Sequence, residues 1–235
     1  MNESTTSPLP PIANRGVERL ECRPDWAEVS FPSEGVDDLA MAYHLLGAFA
    51  SGPSTTGRGG GYYGHALRSD DHAAAVHYEG RGDAAGTVLL TLTGEWWAAQ
   101  WDVARSVRDL LVRDGHVARF DLAADYSVPD GAVRAIADAV RGREWVTRLR
   151  SAVCSEDLVT GKRTVYLGSK ASDRRTRIYD KRGPVRIELQ CRNDIAGELL
   201  EQTALHGPVA AHRAALGSVV DFPTVGWWSA ALRAS

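Results

Sequence analysis

A chain of 235 residues, 44% hydrophobic and 24% charged, has the length and composition of one soluble domain able to bury a substantial core. Its 23 Gly and 10 Pro exclude a fibrous protein, no apolar run approaches the ~20 residues of a membrane span, and no leader-like segment is seen, so a cytoplasmic location is expected. The net charge of -3 speaks against general affinity for polyanions, and three widely spaced cysteines (Cys22, Cys154, Cys191) speak against a disulfide scaffold or a cysteine zinc site.

Residues 1–17, rich in Ser, Thr, Pro and Asn and without periodicity, are expected to form a disordered tail before a single domain over 18–235. Asp25 to Pro32 alternates as a strand, and Asp37 to Phe49 has helical spacing behind an acidic first turn. Ser51 to Gly61 is crowded with Gly, Ser and Thr and is expected to be a loop. Three strand-like runs follow, over 61–69, 74–80 and 87–94. A helix is expected from Trp97 to Asp114, with Gly115 at its stop, then a strand over 116–125 and a helix from Pro129 to Arg141. Another sheet segment spans Arg163 to Cys191, followed by a helix near Ile195 to Leu205 and a tail bearing Trp227 and Trp228. No repeat is evident at a fixed period. The pattern predicts an α+β fold: a largely antiparallel central sheet with helices packed on one side.

Between Lys162 and Arg186 nine basic residues face only Asp173 and Asp180, a basic stripe on an otherwise acidic body. Residues two apart on a strand share a face. Arg119, Asp121 and Asp125 therefore fall on one parity, Arg175, Arg177, Tyr179 and Lys181 on another shared face, and Arg186, Glu188 and Gln190 opposite an apolar series from Val185 to Cys191. Lys181 to Pro184 is short enough for a hairpin turn. If these strands are neighbours, one face carries a tyrosine, three carboxylates and several guanidinium groups. A tyrosine hydroxyl can attack a phosphodiester, carboxylates can hold Mg²⁺ or Mn²⁺, and Arg or Lys can grip phosphate. The same alternation also suits a surface sheet of cross-strand salt bridges.

The runs TVYLGSKASDRRTRIYDK (164–181) and VRIELQCR (185–192) resemble the signature of the replication initiation factor family of plasmid and phage rolling-circle initiators and conjugative relaxases. ARFDLAADY (118–126), LTLTGEWW (90–97) and DWAEVSFP (25–32) resemble its earlier motifs, so the similarity runs in order from about Asp25 to Trp228. The resemblance implies Tyr179 as nucleophile, flanked by Arg177 and Lys181. It implies Asp121 and Glu188, with Asp125 as a weaker candidate, as ligands of Mg²⁺ or Mn²⁺. Lys170, Arg174, Arg175 and Arg186 are the further expected DNA contacts. The implied partner is origin DNA, nicked as a single strand or hairpin, with a host helicase acting downstream and dimers known among plasmid members. Gln190 stands where many relatives carry another acid, and the linker after Lys181 is shorter than in many. A non-catalytic DNA-binding protein on the same fold, a repressor or degenerate copy, is the alternative reading.

Two other features point less far. The seven histidines never form a His-hydrophobe-His pair, which speaks against the histidine-pair type of rolling-circle nuclease, and His65 and His77, in expected strands, suit surface or core roles better than metal ligation. GRGGGYYG (57–64) lacks the Lys-Ser/Thr ending of a phosphate loop. Its Tyr62 and Tyr63 suit either stacking on bases of single-stranded DNA or an aromatic core.

Overall fold

The computed structural model describes residues 17–50, 52–100 and 115–233. Along the chain lie β1 (Glu18–Pro32), α1 (Asp38–Phe49), β2 (Ser54–Arg58), β3 (Tyr63–Ser69), β4 (Ala74–Gly80), β5 (Thr87–Thr93) and a helix, α2, described from 94 to 100. Then come β6 (His116–Ser127), α3 (Ala132–Gly142), β7 (Val146–Thr147), β8 (Ala152–Glu156), β9 (Arg163–Leu167), β10 (Arg174–Asp180) and β11 (Val185–Arg192). The chain closes with α4 (Asn193–His206), α5 (Pro208–Gly217), β12 (Val220–Asp221) and α6 (Gly226–Arg233). The expected N-terminal tail and the second part of the helix expected to end at Asp114 lie outside the described residues.

Ten strands form one antiparallel sheet in the order β2-β3-β4-β5-β1-β6-β11-β10-β9-β8, while β7 and β12 pair separately. The order is symmetric about the β1–β6 pair. Each half follows one path: a long central strand, a helix, a four-stranded meander, and a second helix beginning where the meander ends. The two halves share this path without a fixed-period sequence repeat.

One face of the sheet is apolar across its width. Register aligns Ala27, Phe120 and Cys191, and next to them Leu122 and Leu189, then Ala124 and Ile187. These residues are almost fully buried beneath α1, α4 and α5 on one side and α3 and α6 on the other. The aromatic residues of the helices close this layer: Trp97 meets Phe120 edge-on, and Trp228 meets Phe222 edge-on. Burial of this order, at about 25 cal/mol per Å² of apolar surface, is the main term holding the helices down. The α+β fold with helices on one face is the one expected. Trp227 and Trp228 are core residues, and all three cysteines are free thiols. Among the described residues no helix is long and apolar enough to cross a membrane.

The differences have local causes. Residues 54–58, expected as loop, form an edge strand on β3, because backbone pairing with Arg68 and its neighbours needs no apolar side chains. β1 starts at Glu18 rather than Asp25; two register shifts and Pro24 scramble its alternation. Val117 is buried although it shares sequence parity with Arg119. A register shift opposite Glu28 and Val29 leaves Ala118 as the extra residue, and Val117 turns into the core. α3 begins three residues after Pro129 because Gly131 turns at φ +78° before it. The helices α5 and α6 were not anticipated.

Candidate active site on the open face of the sheet

The face opposite the helices carries the polar residues of β6, β11 and β10. Cross-strand pairing sets Asp121 against Gln190, Ala123 against Glu188, and Asp125 against Arg186. It then sets Glu188 against Arg177 and Arg186 against Tyr179. The pleat and antiparallel register alone thus gather Tyr179, Glu188, Asp121 and Asp125 on one surface.

Tyr179 is half-buried, and its hydroxyl donates to Glu188 Oε2 at 3.4 Å. The Arg177 guanidinium lies 4.1 Å above the Tyr179 ring centroid, with Nη1 3.6 Å from Glu188 Oε2. Burial and the Glu188 charge push the tyrosine hydroxyl up to about 12, against the opposing pull of Arg177 and Arg186. Glu188, only 3% exposed, also accepts from Gln190 Nε2 at 2.6 Å.

The two aspartates differ in environment. Asp121 is 1% exposed and held by Arg119 in a two-point grip, Nε to Oδ1 at 3.0 Å and Nη2 to Oδ2. Burial raises its carboxyl to about 7, with Glu188 adding to the rise and Arg119 opposing it. Asp125 is also buried, but there the cations win. Arg186 donates through Nε at 2.6 Å and Nη2 at 2.9 Å, Lys181 Nζ sits at 3.2 Å, and the carboxyl lies below its ordinary range despite desolvation. Arg186 sends its remaining arm to Asp25 Oδ1 at 2.7 Å.

Among the described residues no three His, Cys, Asp or Glu side chains form a ready-made metal cage. Mg²⁺ needs no such cage, since one or two carboxylates with water and substrate phosphate suffice. Asp121 and Glu188 suit that donor set, and the Gln190 amide oxygen beside them adds a neutral acceptor. Both oxygens of each aspartate already accept from an arginine, Asp121 from Arg119 and Asp125 from Arg186; Asp125 has Lys181 as a second competing cation, so Asp121 is the less occupied of the two.

The expected residues are thus distributed over several places. Tyr179, Arg177, Asp121 and Glu188 meet on the open face. Arg175 shares it, stacked 4.1 Å over the Tyr166 ring. Lys170 is exposed in the turn between β9 and β10. Arg174 pairs with Cys191, so it stands on the helix side, away from Tyr179. Arg186, expected as a DNA contact, is 4% exposed and binds two carboxylates instead.

Sequence reading assigned no role to Arg119 or Asp25. Arg119 could have been found as a cation two residues before Asp121 on the same strand face. Asp25 sits in the register shift between Pro24 and Trp26, where parity carries no information. A neighbouring glycine is tied to it: a Cβ on Gly94 would lie 3.0 Å from Asp25 Oδ1. The glycine of the LTLTGEWW run therefore lets α2 begin against that carboxylate.

A ten-stranded antiparallel sheet, with helices on one face and a tyrosine–carboxylate–arginine cluster on the other, defines an α+β protein with a polar, open sheet face. No protein-family model matches the chain, and no curated protein matches it. Among solved structures it is similar to the Rolling Circle Replication Initiator Protein from Geobacillus stearothermophilus. The TM-score is 0.68 at 19% identity, covering 88% of this chain and 87% of that one. The two proteins share one fold, and it is the fold that the sequence resemblance implied.

Proposed function

We propose that the protein initiates rolling-circle replication or transfer by nicking DNA, with Tyr179 as the nucleophile. The observation that carries this reading is the Tyr179 hydroxyl hydrogen-bonded to Glu188 beneath Arg177, on a rigid sheet rather than a loop. The fold shared with a rolling circle replication initiator supports the same role.

A phenol with its pKa near 12 is protonated at neutral pH and needs help to attack. Glu188 Oε2 is the acceptor already in place for its proton. Tyr179 Oη forms the new O–P bond while the P–O3′ bond breaks. A 5′-phosphotyrosine remains, and the departing 3′ oxygen gains a proton to become the primer hydroxyl. Arg177 binds phosphate oxygens over the ring, and Lys181, about a third exposed, extends the cationic rim. Asp121 and Glu188 would hold Mg²⁺ or Mn²⁺, which when bound supplies Lewis-acid polarisation of the scissile phosphate. Arg186, with Asp25 and Asp125, positions the β10–β11 hairpin under the tyrosine without touching DNA. Origin DNA is the substrate, and a host helicase would extend the opened strand.

The test is conversion of a supercoiled plasmid carrying DNA from the gene's own neighbourhood to open circle, with Mn²⁺ present. Wild type should nick it at a discrete position and Tyr179→Phe should not. Equal nicking by both would end the tyrosine assignment.

A further inference from the structure

The symmetry of the sheet raises a question about its other half. Both meanders end directly before a helix, which fixes their correspondence: Gln190 on β11 pairs with Asp121 and Arg175, and Thr91 on β5 pairs with Glu28 and Ala75. One step along, Glu188 pairs with Ala123 and Arg177, whereas Leu89 pairs with Ser30 and His77. Where one half carries Arg175, Gln190 and Glu188, the other carries Ala75, Thr91 and Leu89. The shorter side chains leave a hollow of about 580 Å³ on the same open face. That volume is typical of small-molecule sites.

Its walls suit a flat aromatic guest. Trp26 forms one side, and Trp26 is also the cross-strand partner of Asp121, so hollow and candidate active site adjoin. Tyr62, 68% exposed, stands at the rim above the triglycine run 59–61. That run is held in place: Gly59 donates to the Gly64 carbonyl, and a Cβ there would meet the Tyr63 carbonyl at 2.4 Å. Gly60 N–H donates to His77 Nδ1 at 3.3 Å, which leaves the neutral ring's proton on Nε2 as a donor. Burial and the nearby Arg68 charge hold His77 below its ordinary pKa, consistent with a neutral ring. Thr93 also lines the hollow, although its Oγ1 is shut off from solvent. Arg68 supplies a cation for a backbone phosphate.

We propose that this hollow receives an unpaired base of single-stranded DNA, stacked on Tyr62 and contacted by His77. It is a second strand-binding site on the face that bears Tyr179. Four inter-strand spacings separate β10 from β5 in the order of the sheet, about 20 Å at ~4.8 Å per spacing. The bound base would lie that far along the strand from the nick. The assignment rests on the reading of this protein as a DNA-nicking enzyme for its ligand, but not on the nicking step.

Fluorescence anisotropy with labelled oligothymidylate and an abasic strand of equal length tests it, using wild type, Tyr62→Ala and His77→Ala. The exposed position of Tyr62 makes Tyr62→Ala tolerable to the fold. Wild type should prefer the base-bearing strand, and Tyr62→Ala should reduce that preference on the order of tenfold with affinity for the abasic strand unchanged. His77→Ala should reduce it in the same sense. A preference unchanged in both variants, or none in wild type, overturns the proposal. Adduct formation through Tyr179 with an unchanged preference would reject the hollow alone. A lost preference without any adduct would reject nicking alone.

Discussion

The Tyr179 hydroxyl reaches Glu188 diagonally across the ladder, for the direct partners are Tyr179 with Arg186 and Glu188 with Arg177. Diagonal neighbours in antiparallel strands lie within reach of an aromatic side chain. The geometry leaves Arg177 over the ring and sets the buried Arg186 opposite the tyrosine in register, and both cations oppose the rise that burial and Glu188 impose on the hydroxyl. Glu188→Gln should therefore keep the fold and lose cleavage by at least about 100-fold, as expected for loss of a general base or metal ligand. Single-turnover nicking rates at saturating Mn²⁺ check it. Activity within tenfold of wild type would remove Glu188 from the reaction.

The metal assignment separates two aspartates. Asp121→Asn should raise the Mn²⁺ concentration needed for half-maximal nicking, whereas Asp125→Asn should leave that concentration unchanged while lowering stability. Titration of Mn²⁺ into EDTA-stripped protein, read by nicking, distinguishes them. The reverse pattern would restore Asp125 as a ligand.

Arg186 makes a sharper stability prediction. Arg186→Met strands two carboxylates around a buried site and should cost about 3–5 kcal/mol in urea unfolding. Lys181→Met removes a partly exposed partner of the same aspartate and should cost about 1 kcal/mol or less. Arg186→Lys should not rescue, because a lysine cannot make the two-point grip on Asp125 while reaching Asp25.

His212 links pH to stability. It is buried in α5, and its Nε2 lies 3.1 Å from the Ile187 carbonyl oxygen. Burial depresses its pKa from 6.5 to about 4. Above pH 6.5 neither folded nor unfolded protein binds the proton. Below it the unfolded chain does so first, so the His212 contribution to stability should fall between pH 6.5 and about 4, at up to about 1.4 kcal/mol per pH unit, opposed over the same window by Asp121, whose raised carboxyl protonates first in the folded state. Denaturant melts of wild type and His212→Gln across that window check it: as pH falls, wild type should lose stability relative to the variant, and a constant difference would remove His212 from the pH dependence.

Much of this site was legible because strand parity is strict where register is unbroken. Arg177, Tyr179, Glu188 and Gln190 alternate against Ile178, Ile187 and Leu189, and pairing brings them together as the alternation implies. Parity does not tell whether a polar face is wet or closed, so the burial of Arg186 against Asp125 and Asp25 could not be read. Bulges hide residues outright, as with Asp25 and Val117. The hollow was illegible for another reason. It comes from short side chains on β4 and β5 beside Trp26 on β1, a coincidence that only the fold creates. The repeated path of the two halves was equally hidden, since it is shared in backbone while the facing side chains differ.

The most direct measurement is a denaturing gel of wild type and Tyr179→Phe incubated with Mn²⁺ and labelled single-stranded DNA from the gene's neighbourhood. A covalent protein–DNA band is expected in wild type alone, resistant to boiling in detergent and lost on protease treatment. DNA bound in a salt-sensitive shift, with no covalent band in either protein, would contradict it and leave a non-catalytic DNA-binding protein on this fold.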